Sequence, residues 1–191
     1  MKLVFREEDH SFWLGDRRLP SVTQILKHFI PRFERDEWYL LRGTAVHKAT
    51  ELYDKGTLDP DSVDPQIEGY LQGWIKFRMG YDFVPGQIEY QAHDPIYLYA
   101  GIVDRTGSCK IGDCFLDIKS GAPSNTDLLQ LAGYSRFIKE PAGFNVYLHE
   151  DGTYKIKQYN RREMKEAANI FLSMTSIYNY LTREGIITWQ N

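Results

Sequence analysis

The segment Cys114-Phe115-Leu116-Asp117-Ile118-Lys119 constrains this chain more than any other, because it places two charged side chains at alternate positions of an apolar run. A period of two is the pattern of a β-strand, on which Leu116 and Ile118 point into a core while Asp117 and Lys119 share the opposite face. Upstream, Gly112-Asp113 reads as a turn and Ile96 to Thr106 as another strand, rich in aromatic and β-branched residues. With the turn near Lys110 to Asp113, Asp104 falls across from the Asp117 to Lys119 segment, within diagonal reach of a cross-strand pair. Two carboxylates and an ammonium then converge on one site.

Like charges held a few ångströms apart repel, and a half-buried carboxylate pair is stable only when a proton or a cation lies between its members. A hard divalent cation meets that need. Oxygen donors without thiolates favour Mg²⁺ or Mn²⁺, and the backbone carbonyl of Ile118 offers one more oxygen from the same strand. Lys119 would orient or deprotonate a water, or neutralise charge developing on a phosphate. On its own, a D-x-K is equally the pattern of an ordinary ion pair on a strand surface. Three further features add to it. His47 and Glu51 stand four residues apart on one expected helix, where an imidazole completes a coordination shell and a carboxylate assists. Gln130 and Tyr134 have the same spacing and give an otherwise apolar helix one hydrogen-bonding face. Glu89, on the strand before Asp104, is a further carboxylate within reach of the cluster.

The rest of the chain reads as elements around this centre. Phe5 to Leu19 alternates around Gly15-Asp16 and predicts a hairpin. Ser21-Val22-Thr23-Gln24 has the form of a capping box, opening a helix that stops at Pro31. Apolar residues at helical spacing predict a second helix over about 35–53, with a break at Gly43, and a third over 67–80. Strands are expected over 87–92, 96–106 and 114–119, a helix over 125–138, strands over 144–149 and 154–158, and a final helix over 161–182. The expected organisation is one domain over 1–191: a hairpin and helical part (1–80), a sheet core with its motif helix (85–160) and a C-terminal helix (161–182).

Composition sets outer bounds. A 22.3 kDa chain with 42% hydrophobic and 26% charged residues would hide roughly 70% of its extended surface, which excludes a disordered chain. No apolar run approaches a membrane span, and the N-terminus turns acidic at Glu7-Glu8-Asp9 before a signal sequence forms, so a cytoplasmic, intracellular location is expected. Two cysteines, Cys109 and Cys114, are too few for a disulfide framework or a four-thiolate metal site. The net charge of −3 argues on its face against a partner that is a polyanion. The acid is not evenly spread: residues 57–120 carry 5 basic and 10 acidic side chains, whereas 1–56 carry 10 and 9, and 121–191 carry 8 and 7. The excess therefore falls in the segment that holds Glu89, Asp104 and Asp117.

Taken in order, Arg42-Gly43-Thr44-Ala45-Val46-His47, Gly101-Ile102-Val103-Asp104, Asp117-Ile118-Lys119 and Gln130-Leu131-Ala132-Gly133-Tyr134 resemble the motif series of the PD-(D/E)xK nuclease superfamily. The branch they resemble most is the RecB-like one, with G-x-x-x-H, G-x-x-D, D-x-K and Q-x-x-x-Y elements. Leu19 to Leu26 is also similar to the N-terminal element of small phage and mitochondrial-genome-maintenance exonucleases of that branch. Val103 stands where the family often has Pro, and the cysteine cluster of its iron-sulfur members is missing, so no iron-sulfur cluster is expected.

The resemblance implies an α/β fold with a restriction-endonuclease-like core, a central mixed β-sheet flanked by helices, with N-terminal helical elements. It implies a Mg²⁺- or Mn²⁺-dependent deoxyribonuclease in which His47, Asp104, Asp117 and the Ile118 carbonyl bind metal, joined by Glu51 and Glu89 as additional candidates. Lys119 would be the catalytic lysine, with Gln130 and Tyr134 facing the substrate. DNA contacts are expected from Ser21, Arg42, Thr44, Lys48, Gln130 and Tyr134, with Arg32 and Arg35 near the helical entrance; Trp38, Tyr39, Tyr53 and Trp74 are first of all core candidates, and otherwise stacking platforms. An exonuclease on single-stranded or linear ends is the leading expectation. An endonuclease or junction resolvase of the same fold, and a catalytically silent module that binds DNA or a partner, stay open beside it. The compact chain fits a phage-type source and a replication or recombination partner.

Overall fold

The computed structural model describes residues 1–30, 37–139 and 142–189. Its N-terminal strands β1 (Leu3–Arg6), β2 (Ser11–Leu14) and β3 (Arg17–Leu19) form an antiparallel meander. The expected hairpin is its β2–β3 half, turned at Gly15 with φ +63, a conformation glycine adopts without a Cβ clash. α1 (Val22–Phe29) begins on the expected capping box: Ser21 Oγ accepts the Gln24 amide at 3.0 Å, and Gln24 Oε1 accepts the Ser21 amide at 2.9 Å. The expected stop at Pro31, and Arg32 and Arg35, lie outside the described residues.

α2 (Glu37–Asp54) runs unbroken through Gly43, so the expected break is absent. One helical glycine costs only about 1 kcal/mol, and the burial of Val46, Ala49 and Thr50 on one side of the helix holds it in place. A 3₁₀ turn (Pro60–Ser62) leads to α3 (Pro65–Tyr81), capped at its start by Asp64 and ended by Asp82 in the left-handed region. Then come β4 (Val84–Asp94), β5 (Tyr99–Cys109), β6 (Gly112–Lys119), α4 (Asn125–Tyr134), β7 (Ala142–Leu148), β8 (Tyr154–Gln158) and α5 (Arg161–Arg183). β5 starts three residues later than its apolar pattern suggests, because Asp94 Oδ1 accepts the amides of Ile96 and Tyr97 at 2.8 and 2.9 Å and folds Pro95 to Leu98 into a turn.

The five strands lie in chain order, β4-β5-β6-β7-β8. Every pair is antiparallel except β6–β7, which is parallel and joined through α4, as a parallel pair requires a crossover. One sheet face packs Leu116, Ile118, Phe144 and Val146 against Trp74 and Phe77 of α3. The other packs Val103 and Phe115 against Leu131 of α4, Phe171 of α5 and Val22 of α1. This is a mixed sheet between helical layers, the expected α/β arrangement. Covering both faces also explains why Asp117, on the face opposite Leu116, is itself only 2% exposed.

Candidate metal centre and cleft

The candidate site gathers at the end of β6, where α2, β4, β5 and α4 meet. The buried side of α2 sets its roll, and His47, next to Val46, lands against β5 with Nδ1 3.6 Å from Asp104 Oδ2. The same Asp104 oxygen accepts the Ile118 amide at 2.6 Å, one step beyond the last paired residues of the β5–β6 ladder, Arg105 and Leu116. Glu89 completes the group. One donor atom each from His47, Glu89 and Asp104 lies within 4.8 Å of the others. Glu89 has φ +52, a left-handed value inside a strand, just after a register shift between Pro85 and Ile88. Such irregularities re-aim a side chain and concentrate at functional sites.

Asp117 and Lys119 form a second cluster beside the first. Lys119 Nζ lies 2.8 Å from Asp117 Oδ2 and donates to Gln130 Oε1 at 3.0 Å. Gln130 Nε2 donates to the Tyr134 hydroxyl at 3.0 Å. Asn145, paired in register with Asp117 across the parallel β6–β7 ladder, donates Nδ2 to Asp117 Oδ2 at 2.6 Å. The Tyr159 hydroxyl in turn donates to Asn145 Oδ1. Gly101 of the second quoted motif has a steric role here: a Cβ would lie 2.8 Å from the Tyr134 ring.

Burial dominates the electrostatics. It pushes the Glu89 carboxyl up to about 7, with Asp104 adding to the rise and His47 and Arg105 opposing it. It pushes Asp117 up to about 6, against the pull of Lys119 and with a further push from Asp104. For Lys119, burial works toward the neutral amine, but Asp117 outweighs it and the ammonium is favoured. Tyr134 is held protonated by burial and by the nearby Asp117 and Asp104.

The structure unites some expected residues and separates others. His47, Glu51, Glu89, Lys119, Arg42 and Thr44 line one cleft of about 450 Å³, with Ile118 and Lys48 on the same wall. Within it Glu51 is not part of the three-donor group; Lys48 and Lys55 take its carboxylate. Asp117 also stands outside that group, its oxygens engaged by Lys119 and Asn145. Ser21 lies in a different cleft, of about 310 Å³, that is lined by Tyr134 but by none of the metal donors. Arg42 stacks over Trp38 and Tyr39 and donates to the Ser120 carbonyl at 2.8 Å, while Thr44 bonds the Leu40 carbonyl. Trp38 and Tyr39 are 42% and 49% exposed and reach solvent as a stacking platform must. Trp74 does not: it is fully buried and gives its indole N–H to Asp54 at 3.0 Å. Tyr53 packs against the same core.

Sequence reading missed Arg105, Asp54 and Asn145, all buried around the site. A signal existed for Asn145, a lone amide within the apolar run Phe144-Asn145-Val146-Tyr147-Leu148. The donor set of one imidazole and two carboxylates, without a thiolate, fits Mg²⁺ or Mn²⁺.

Among solved structures, a candidate exonuclease from Eubacterium rectale matches 90% of this chain and 77% of its own, with a TM-score of 0.52 at 12% identity. The chain shares that structure's fold, a mixed α/β sheet with a restriction-endonuclease-like core. An alkaline exonuclease from Laribacter hongkongensis shows a looser likeness to this chain, with a TM-score of 0.44 and 14% identity over 85% of this chain and 81% of its own. No family model and no curated protein matches the sequence. No helix among the described residues is long and apolar enough to cross a membrane.

Proposed function

We propose that this protein is a nuclease of the PD-(D/E)xK type, a Mg²⁺- or Mn²⁺-dependent deoxyribonuclease that hydrolyses phosphodiester bonds as an exonuclease at the ends of linear or single-stranded DNA. The observation that carries the reading is the convergence of His47, Glu89 and Asp104 within 4.8 Å, in a cleft that also holds Lys119. The description of the Eubacterium rectale neighbour as a candidate exonuclease accords with it. A divalent cation held by these donors supplies the Lewis-acid charge that phosphodiester hydrolysis needs.

The chain's own residues do the rest. Asp117 and Gln130 each accept a hydrogen from Lys119 Nζ, and an ammonium has three to give. The third is left for a phosphate oxygen, where a fixed positive charge stabilises the transition state more than the ground state. Tyr134 fixes Gln130, and Asn145 fixes Asp117, so Lys119 is held before substrate arrives. Arg42 and the exposed rings of Trp38 and Tyr39 line the approach and suit a phosphate with unpaired bases.

The test is an assay of end-labelled single-stranded, duplex and closed circular DNA in Mg²⁺, Mn²⁺ or EDTA, with Lys119→Ala and Asp117→Ala alongside. Loss of linear DNA in Mn²⁺ but not EDTA, with both variants inactive, supports the proposal. Nicked circles point to an endonuclease instead. DNA bound but uncut by the wild type points to a silent binding module, and variants as active as the wild type refute the assigned roles.

A further inference from the structure

Arg105 is the one charged residue among the largest fully buried side chains of the described residues. Its guanidinium donates to Asp54 Oδ2 at 2.6 Å, Glu89 Oε1 at 3.0 Å, the Asp104 carbonyl at 2.6 Å and Thr50 Oγ1 at 3.3 Å. Asp54 is likewise enclosed, and its other oxygen takes the Trp74 indole at 3.0 Å and Arg78 Nη1 at 2.9 Å. Burying an ion pair this deeply adds little stability over an apolar pair of the same volume. Geometry is what it does supply.

Arg105 bonds to α2 through Thr50 and Asp54, to β4 through Glu89 and to β5 through its own neighbour's carbonyl. These are the same three elements that contribute His47, Glu89 and Asp104. Arg105 donates to Glu89 Oε1, which leaves the carboxylate's second oxygen free of that bond, and it braces a residue with a left-handed backbone. Resting on the metal-dependent reading above, we propose that Arg105, anchored by Asp54, is a positioning residue that holds Glu89 in place for the cation. Arg105 touches neither cation nor substrate in this role.

The experiment measures Mn²⁺ binding to the full chain without DNA, by calorimetry or by the electron paramagnetic resonance of free Mn²⁺. It compares Arg105→Lys, Glu89→Gln and the double variant, with melting in EDTA to report the fold. Partners that orient a ligand typically contribute 10–100-fold in metal affinity, so Arg105→Lys should weaken Mn²⁺ binding by about tenfold or more. Because Arg105 acts through Glu89, the double variant should bind no more weakly than Glu89→Gln alone. A merely structural role would lower the melting temperature equally in both backgrounds and leave the two effects on affinity multiplicative. If Arg105→Lys does not fold, Asp54→Asn keeps the arginine, loosens its anchor and is read through the same cycle. Wild-type affinity in Arg105→Lys, or multiplicative losses in the double variant, overturns the inference alone. A wild type that binds no Mn²⁺ overturns the metal reading and this inference with it.

Discussion

Glu89→Gln should stabilise the metal-free protein at alkaline pH. Glu89 titrates near 7 in the fold against an ordinary 4.5, chiefly because it is buried and faces Asp104. Below pH 4.5 the group is protonated in both folded and unfolded chains and contributes nothing. Between 4.5 and 7 the unfolded chain ionises freely while the folded one resists, so the metal-free protein loses stability as pH rises, and the full cost is present above 7. The displacement corresponds to about 3 kcal/mol. The side chain keeps 32% of its surface exposed, so solvent screening reduces this to roughly 1.5 kcal/mol. Glutamine keeps the shape and an oxygen for Arg105 but has no charge to bury. In EDTA at pH 8, the variant should melt about 3–6 °C above the wild type for a chain of this size, and the difference should vanish at pH 4. Saturating Mn²⁺ should reverse the order, since the wild type gains ligand stabilisation that the variant lacks. Thermal melts read all three conditions. A variant no more stable than the wild type in EDTA at pH 8 would refute the idea that uncompensated negative charge is stored at Glu89.

Three other outcomes follow from the packing. Lys119→Ala leaves Asp117, 2% exposed, without its cation, so unfolding in EDTA at pH 8 should become easier by roughly 3 kcal/mol; an unchanged melt would mean that Asn145 alone satisfies that carboxylate. Gly101→Ala drives a methyl to 2.8 Å from the Tyr134 ring and should cost about 1–3 kcal/mol, with cleavage reduced because Tyr134 steadies Gln130; full activity would detach this chain of bonds from Lys119. Gly69→Ala sets a Cβ against the Glu150 carbonyl of the β7–β8 turn, where backbone rather than a flexible side chain must yield. Hydrogen exchange of the amides over 149–153 should accelerate there, and unchanged protection would show that α3 can shift away.

The legible parts of this molecule depend on local periodicity, and the illegible parts on long-range register. Asp117 and Lys119 on one face, and Asp104 opposite them, follow from alternation along β5 and β6 and the length of one turn. The capping box at Ser21 follows from a four-residue window. Asn145 reaches Asp117 only because β7 pairs parallel to β6 in one particular register, which no window of sequence encodes. Arg105 follows Asp104 directly, and strict alternation would turn it from the site. It returns through the carbonyl of Asp104 and through Glu89. Glu89 reads from the sequence only as an additional candidate ligand, because its entry depends on a left-handed residue after a register shift, an irregularity that period-two reasoning smooths away. Trp74 is the opposite case: its aromatic chemistry allows stacking or core packing, and the inward face of α3 claims it for the core.

The acid excess of residues 57–120 becomes specific once its members are placed. Asp59 and Asp64 cap helices, Asp94 pairs with Arg136 and folds a turn, and Asp117 is matched by Lys119. Asp104 and Glu89 have between them His47, the Ile118 amide and one donor of Arg105. Two carboxylates thus share few balancing protein groups, with donor atoms that lie within 4.8 Å of each other. A carboxyl at about 7 must lose its proton before it can ligate, so Mn²⁺ binding should release close to one proton from Glu89 at pH 6, and close to none from it at pH 8.5. Affinity should accordingly fall by about tenfold per pH unit below 7. Calorimetric titrations at pH 6 in two buffers of different ionisation enthalpy count that proton directly. Equal apparent enthalpies in the two buffers would show that Glu89 is already ionised in the free protein, and that the charge stored at the site lies elsewhere.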